Sequence, residues 1–213
     1  MTTGRPLFSE LVAAARRMTA GPRQLLGLTG APGAGKSTLA ARIVDALTPA
    51  AVLVPMDGFH LANAQLQRLH RADRKGALDT FDVDGYLALL GRLRDNGPAT
   101  VYAPRFDRNL DEPVAAAIRV DHEVPLVVTE GNYLLARDGG WERVRPMLDQ
   151  VWYVEVDDQT RVERLIRRHV SYGKPPDAAR AWVSRSDEAN ARLVASTRDR
   201  ADLIVTATAE LTA

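Results

Sequence analysis

Apolar residues in this chain fall into short unbroken runs, separated by longer stretches in which they recur every three or four positions. The runs are Gln24–Thr29, Ala51–Met56, Leu126–Glu130, Val151–Val156 and Leu203–Thr206. Runs of that length without polar alternation suit strands buried on both faces of a sheet. The stretches between them read as helices. Leu7–Met18 is amphipathic, and Leu39, Ile43 and Leu47 lie at helical spacing. Leu61–His70 is a further helix, and Val83–Arg94 places Val83, Tyr86, Leu87, Leu90 and Leu93 on one face, with Asn96-Gly97-Pro98 as its stop. Pro175-Pro176 separates two late helices, Gln159–Tyr172 and Asp177–Val194. Alternating strand and helix predicts an α/β domain built on a parallel sheet. The 213 residues suit a single domain over 1–213. The interval between Met56 and Leu126 is too long for one crossover. It predicts an insert over about 58–122, with extended chain from Thr100 to Val120, at the sheet edge where a second substrate would be held.

The segment after the first run gives this frame a ligand. Gly30-Ala31-Pro32-Gly33-Ala34-Gly35-Lys36-Ser37-Thr38 fits the phosphate-binding pattern G-x-x-x-x-G-K-[ST] at every position. Its glycines let successive N–H groups turn inward onto phosphate oxygens. Lys36 is expected to reach the β- and γ-phosphates, and the Ser37 hydroxyl to ligate Mg²⁺. The helix that starts near Lys36 adds the positive end of its dipole. A strand before the loop and a helix after it supply the required order.

Composition narrows the field of partners. A net charge of +1 draws the chain neither to nucleic acid nor to a membrane surface. Arginine carries nearly all the positive charge, since Lys36, Lys75 and Lys174 are the only lysines. The absence of cysteine excludes disulfides, thiolate catalysis and thiolate metal sites. No run approaches the roughly 18 apolar residues of a membrane helix, and the N-terminus lacks an apolar signal core. A cytoplasmic protein is the expectation, and its oligomeric state, a homodimer included, stays open.

Two carboxylates close apolar runs. Asp57, in Met56-Asp57-Gly58-Phe59-His60, is placed to accept a proton from an attacking hydroxyl or to enter the metal shell; a helix N-cap is the plainer role. Gly58 would keep that turn open, and His60 could hydrogen-bond an acceptor. Glu130, before Gly131-Asn132-Tyr133, suits an inner or outer contact to Mg²⁺. The candidate metal donors are therefore Ser37, Asp57 and Glu130. Tyr102-Ala103-Pro104-Arg105-Phe106-Asp107-Arg108 packs two arginines and two aromatics into one segment. Arg105 and Arg108 suit bidentate contact with an anion, and Tyr102 suits a ring or sugar face, although Asp107, Asp111 and Glu112 are alternative partners for those arginines. Asn132 joins His60, Tyr102, Arg105 and Arg108 as a candidate acceptor contact. Arg161, Arg164 and Arg168 share a helix face and could neutralise a transferring phosphoryl group, or pair with Glu163 and Asp158 on a solvated surface. His70, His122 and His169 lack metal-ligand spacing and read as structural or surface residues. Trp141, Trp152 and Trp182 read as packing.

Taken together, these motifs resemble the superfamily of P-loop kinases that includes uridine kinase, phosphoribulokinase and pantothenate kinase, over about Leu25 to Val205. The phosphate loop is common to all P-loop NTPases. More specific are Met56–His60, Tyr102–Arg108, Thr129–Tyr133 and Ser186-Asp187-Glu188-Ala189-Asn190, which look most like the nucleoside/nucleotide-kinase-like, fructose-transport-kinase-like branch. The resemblance implies a parallel five-stranded sheet flanked by helices and an arginine-bearing lid over about 158–195. It also implies Asp57 as catalytic base and places Arg164 and Arg168 in the lid. Uridine kinases carry tyrosine where this chain has His60, so a nucleoside acceptor is not implied. The expectation is an ATP- and Mg²⁺-dependent kinase acting on a hydroxyl of a small molecule such as a nucleoside, sugar, glycerate or pantothenate-like acceptor. An ATPase acting as a regulatory or assembly switch is the alternative. A GTPase is disfavoured, because no lysine follows an asparagine as a guanine-reading segment would require.

Overall fold

In the computed structural model, which describes residues 2–4, 6–208 and 211, strand and helix alternate along the chain. β1 (Thr2–Gly4) precedes α1 (Phe8–Arg17), β2 (Gln24–Thr29), α2 (Lys36–Leu47) and β3 (Ala51–Leu53). The insert follows, with α3 (Asn63–Arg68), α4 (Val83–Asp95), β4 (Val101–Asp107) and β5 (Glu112–Val120). The chain then re-enters the sheet as β6 (Leu126–Glu130) and β7 (Gln150–Glu155). It continues through α5 (Asp158–Ser171), α6 (Pro176–Trp182) and α7 (Glu188–Ala195) to β8 (Leu203–Thr206).

The sheet order is β1-β8-β7-β2-β6-β3, with every pairing parallel. The five expected strands are all present, and the short β1 adds a sixth at one edge. Successive residues of each buried strand supply opposite cores. Leu25, Val127, Val151 and Tyr153 pack with Leu89, Leu90 and Leu93 of α4 on one face. Leu26, Leu28, Val128 and Trp152 pack with Leu11 of α1 and Leu39 and Ile43 of α2 on the other. The unbroken apolar runs are therefore a record of two-sided burial.

Several boundaries differ from the sequence reading, each for a local reason. The strand expected over Ala51–Met56 stops at Leu53. Pro55 has no N–H to donate, and Met56–Phe59 turns into a 3₁₀ helix. Asp57 thus sits in a turn beyond the strand. α3 is shorter than Leu61–His70, because His60 bridges Phe81 and the Leu61 N–H donates to Thr80 O at 3.0 Å, which holds both in extended chain. The extended stretch Thr100–Val120 is an antiparallel hairpin whose register shifts around Pro104. The late helix expected over Asp177–Val194 is interrupted by a π-helical turn, Val183–Asp187.

Register brings the site together. Leu28 of β2 pairs with Glu130 of β6, and Thr29 pairs with Tyr153 of β7. The C-terminal ends of the central strands are level, and the glycine-rich loop leaves β2 beside Glu130. Parallel α/β sheets hold ligands at that edge.

Candidate active site

A cavity of about 780 Å³ opens there, within the range of small-ligand sites. Its floor comes from the loop after β2 and the end of β6. The turn after β3 and the hairpin wall one side, and α5 with the segment after α6 walls the other.

The floor follows from the loop's backbone. Gly33 and Gly35 have φ of +83° and +93°, in the region that favours glycine. A Cβ on Gly33 would also meet Arg161 O at 2.8 Å and Leu165 Cγ at 2.9 Å, so α5 packs directly on the loop. α2 begins at Lys36, with Gly35 O accepting from Leu39 N at 3.0 Å. The first N–H groups of α2 are left facing outward, as at any helix start.

Lys36 is buried, and its Nζ donates to Asn132 Oδ1 at 2.7 Å. Burial lowers its pKa, while the charges of Glu130 and then Asp57 oppose that shift. The Ser37 hydroxyl donates to Glu130 Oε1 at 2.9 Å. Glu130 is only 5% exposed. Burial first, and then the Asp57 charge, push its carboxyl above the usual range, against Lys36 and the Ser37 bond. A buried carboxyl held near a second carboxylate is the environment a bound cation would relieve. Among the described residues no group of three or more His, Cys, Asp or Glu side chains could hold a metal. The available set is one hydroxyl and two carboxylates, which fits an ion that takes most of its ligands from water and phosphate, as Mg²⁺ does.

On the wall formed by the turn and the hairpin, Asp57 Oδ2 lies 4.0 Å from Arg108 Nη2. His60 closes the same turn, its N–H donating to Asp57 O at 3.2 Å. Its ring stacks on Phe81 at 4.0 Å and meets Phe106 at 4.9 Å. Burial pushes the imidazole pKa down to about 4, so it is neutral at physiological pH. Lys75 donates to Asn63 Oδ1 and to Asp111 Oδ2, each at 2.7 Å, tying the loop after α3 to the hairpin tip.

Of the residues expected from sequence, Pro32, Lys36, Ser37, Asp57, His60, Arg108, Glu130, Asn132 and Arg168 line this one cavity. Tyr102 and Arg105 do not. Both are exposed on β4, while Phe106 and Arg108 face the cavity. Arg164 is half-buried and does not line the cavity. Arg161 is buried and paired with Glu188 at 2.5 Å and Asp158 at 3.1 Å, a structural role rather than a phosphate contact. His169 and Trp182, read as structural, both line the cavity. The sequence reading gave no role in the site to Lys75, Lys174, Tyr172, Asp187 or Asn190, although the last two stand in its Ser186–Asn190 motif. One signal was present. All three lysines of the chain line the cavity.

Residues 25–212 match the Phosphoribulokinase / Uridine kinase family. The chain belongs to that family. It is 34% identical to the uncharacterized protein YggC of Escherichia coli, over 97% of this chain and 86% of that one. It is 27% identical to the ATP-dependent kinase YFH7 of Zygosaccharomyces rouxii, over 90% of this chain and 60% of the relative. Among solved structures, a "putative fructose transport system kinase" from Silicibacter sp. TM1040 superposes with a TM-score of 0.85 at 36% identity, covering 93% of this chain and 98% of that one. The fold is that of P-loop kinases, and no helix among the described residues is long and apolar enough to cross a membrane.

Proposed function

We propose that this protein is a kinase that transfers the γ-phosphoryl group of ATP to a hydroxyl of a small molecule. One observation carries the reading: the phosphate-loop lysine Lys36, on the floor, and the carboxylate of Asp57, on the side wall, line the same cavity. That arrangement suits an in-line transfer, with the triphosphate on Gly30–Thr38 and the acceptor between Asp57, His60 and the hairpin.

Each residue then has a task. Lys36, held by Asn132, offsets charge on the β- and γ-phosphates. Ser37, with Glu130 and Asp57, would hold Mg²⁺, which when bound would offset the negative charge of the phosphates during transfer. Asp57 orients the acceptor hydroxyl and takes its proton. Arg168 from α5 and Arg108 from the hairpin bring positive charge to the phosphoryl group in transit. Neutral His60 offers a hydrogen bond to the acceptor. The walls from α5 and the hairpin exclude water, which would otherwise compete as acceptor.

A screen of ATP consumption against sugars, nucleosides, glycerate and pantothenate tests this. The name of the solved structure at 36% identity, a "putative fructose transport system kinase", puts a sugar at the head of that panel. Acceptor-dependent turnover supports the kinase. Hydrolysis at the same rate with every acceptor, and without one, would support an ATPase switch instead.

A further inference from the structure

The segment Ser186–Asn190, singled out in the sequence, has no place yet in the site. It includes the end of the π-helical turn Val183–Asp187, and such turns re-aim side chains inside a helix. Here the re-aimed residue is Asp187. It is buried, at 7% exposure, and its Oδ2 lies 2.8 Å from His169 Nε2 on α5. Its neighbour Glu188 pairs with Arg161, eight residues earlier on that helix. Two adjacent acids therefore grip α5 at points about 12 Å apart, at a rise of about 1.5 Å per residue. Between those points lie Leu165, which packs at Gly33 of the phosphate loop, and Arg168, which lines the cavity. A third contact runs to the acceptor side, where Asn190 Nδ2 donates to Gly76 O at 3.3 Å.

We infer that Asp187 is a positioning residue for the lid arginine: through His169 it fixes the end of α5 that presents Arg168 to the γ-phosphate. The inference rests on the kinase reading. His169 directly follows Arg168, so a shift at the His169 ring moves the guanidinium with it. The Glu188–Arg161 pair anchors the other end and leaves the Asp187–His169 contact to set the pitch of α5 over the loop.

The test is calorimetric titration of a non-hydrolysable ATP analogue with Mg²⁺, and separately of ADP, into wild type, Asp187→Asn, Arg168→Ala and the double variant. Asp187→Asn is expected to weaken the ATP analogue roughly tenfold, the scale of one charge-assisted hydrogen bond. ADP, which lacks the γ-phosphate, should change less than about twofold. In the Arg168→Ala background the second substitution should cost nothing further, because its effect passes through Arg168. Multiplying losses in the double variant would overturn the inference. So would equal weakening of ADP and analogue, the mark of a merely structural residue. Should Asp187→Asn not fold, His169→Phe, which keeps the ring but has no nitrogen to donate, breaks the same contact from the other side and carries the same expectations. Failure of the wild type to bind the analogue would overturn the kinase reading itself, and this inference with it.

Discussion

Gly58→Ala sets two physical expectations against each other. Gly58 follows Asp57 in the 3₁₀ turn, and its φ lies outside the left-handed region. On conformational entropy alone, alanine there should stabilise by about 0.4–1 kcal/mol. The packing says otherwise. A Cβ at Gly58 would sit 2.4 Å from Pro104 O and 2.8 Å from Pro104 C. Ordinary contact begins near 3.4 Å, so the hairpin or the turn must give by about 1 Å (3.4 − 2.4). The obstacle is backbone, which cannot rotate away. Overpacking of that kind costs about 1–3 kcal/mol, enough to outweigh the entropic gain. Net of that gain, up to about 2.6 kcal/mol is lost, which for a chain of this size corresponds to a Tm lower by up to roughly 10 °C. The same displacement moves Asp57 relative to Arg108, and a 1 Å misplacement can cost about 10²-fold in turnover. Urea unfolding should show a lower midpoint at unchanged slope. Turnover with the acceptor found by the screen should fall far more than MgATP affinity. A variant as stable and as active as wild type would refute the claim that the hairpin's close approach fixes the turn that carries Asp57.

Asp57→Asn should leave ATP affinity nearly unchanged and slow phosphoryl transfer by about two to four orders of magnitude, as read by steady-state kinetics. Arg105→Ala should leave both kinetic constants within about twofold of wild type, because Arg105 is exposed outside the cavity, whereas Arg108→Ala should not. Arg161→Met and Arg161→Ala should both lower stability, the alanine by about 3–5 kcal/mol, since it strips the partner from half-buried Glu188 and leaves a void beside Gly33; chemical denaturation measures this. His60 has a folded pKa of about 4 against 6.5 unfolded, so the unfolded chain binds the extra proton between those values. Stability present above pH 6.5 should be lost as the pH falls toward 4, by on the order of 3 kcal/mol, and His60→Gln should flatten that fall in melts taken across the window.

Sequence alone determined the α/β class, the phosphate loop, and both carboxylates of the site. These are local matters. Two-sided burial writes unbroken apolar runs, and a loop that cradles phosphate demands glycines at fixed spacing whatever surrounds it. Lys36 and Ser37 were legible from the loop motif, Glu130 because it closes β6, and Asp57 because it ends an apolar run that leaves the sheet just before it; parallel register then levels the strand ends. The arginines were not. Seven residues of the hairpin hold Arg105 and Arg108, and which of them turns inward is set by strand pairing and by a register shift at Pro104. Arg161 and Arg168 share one helix face, yet Glu188 claims the first and the cavity receives the second. His169 looked like any surface histidine until a π-turn brought Asp187 to it from a helix 18 residues away. A side chain's type is written in the sequence, but its partner across the fold is decided only when the sheet, the hairpin and α5 close on one another.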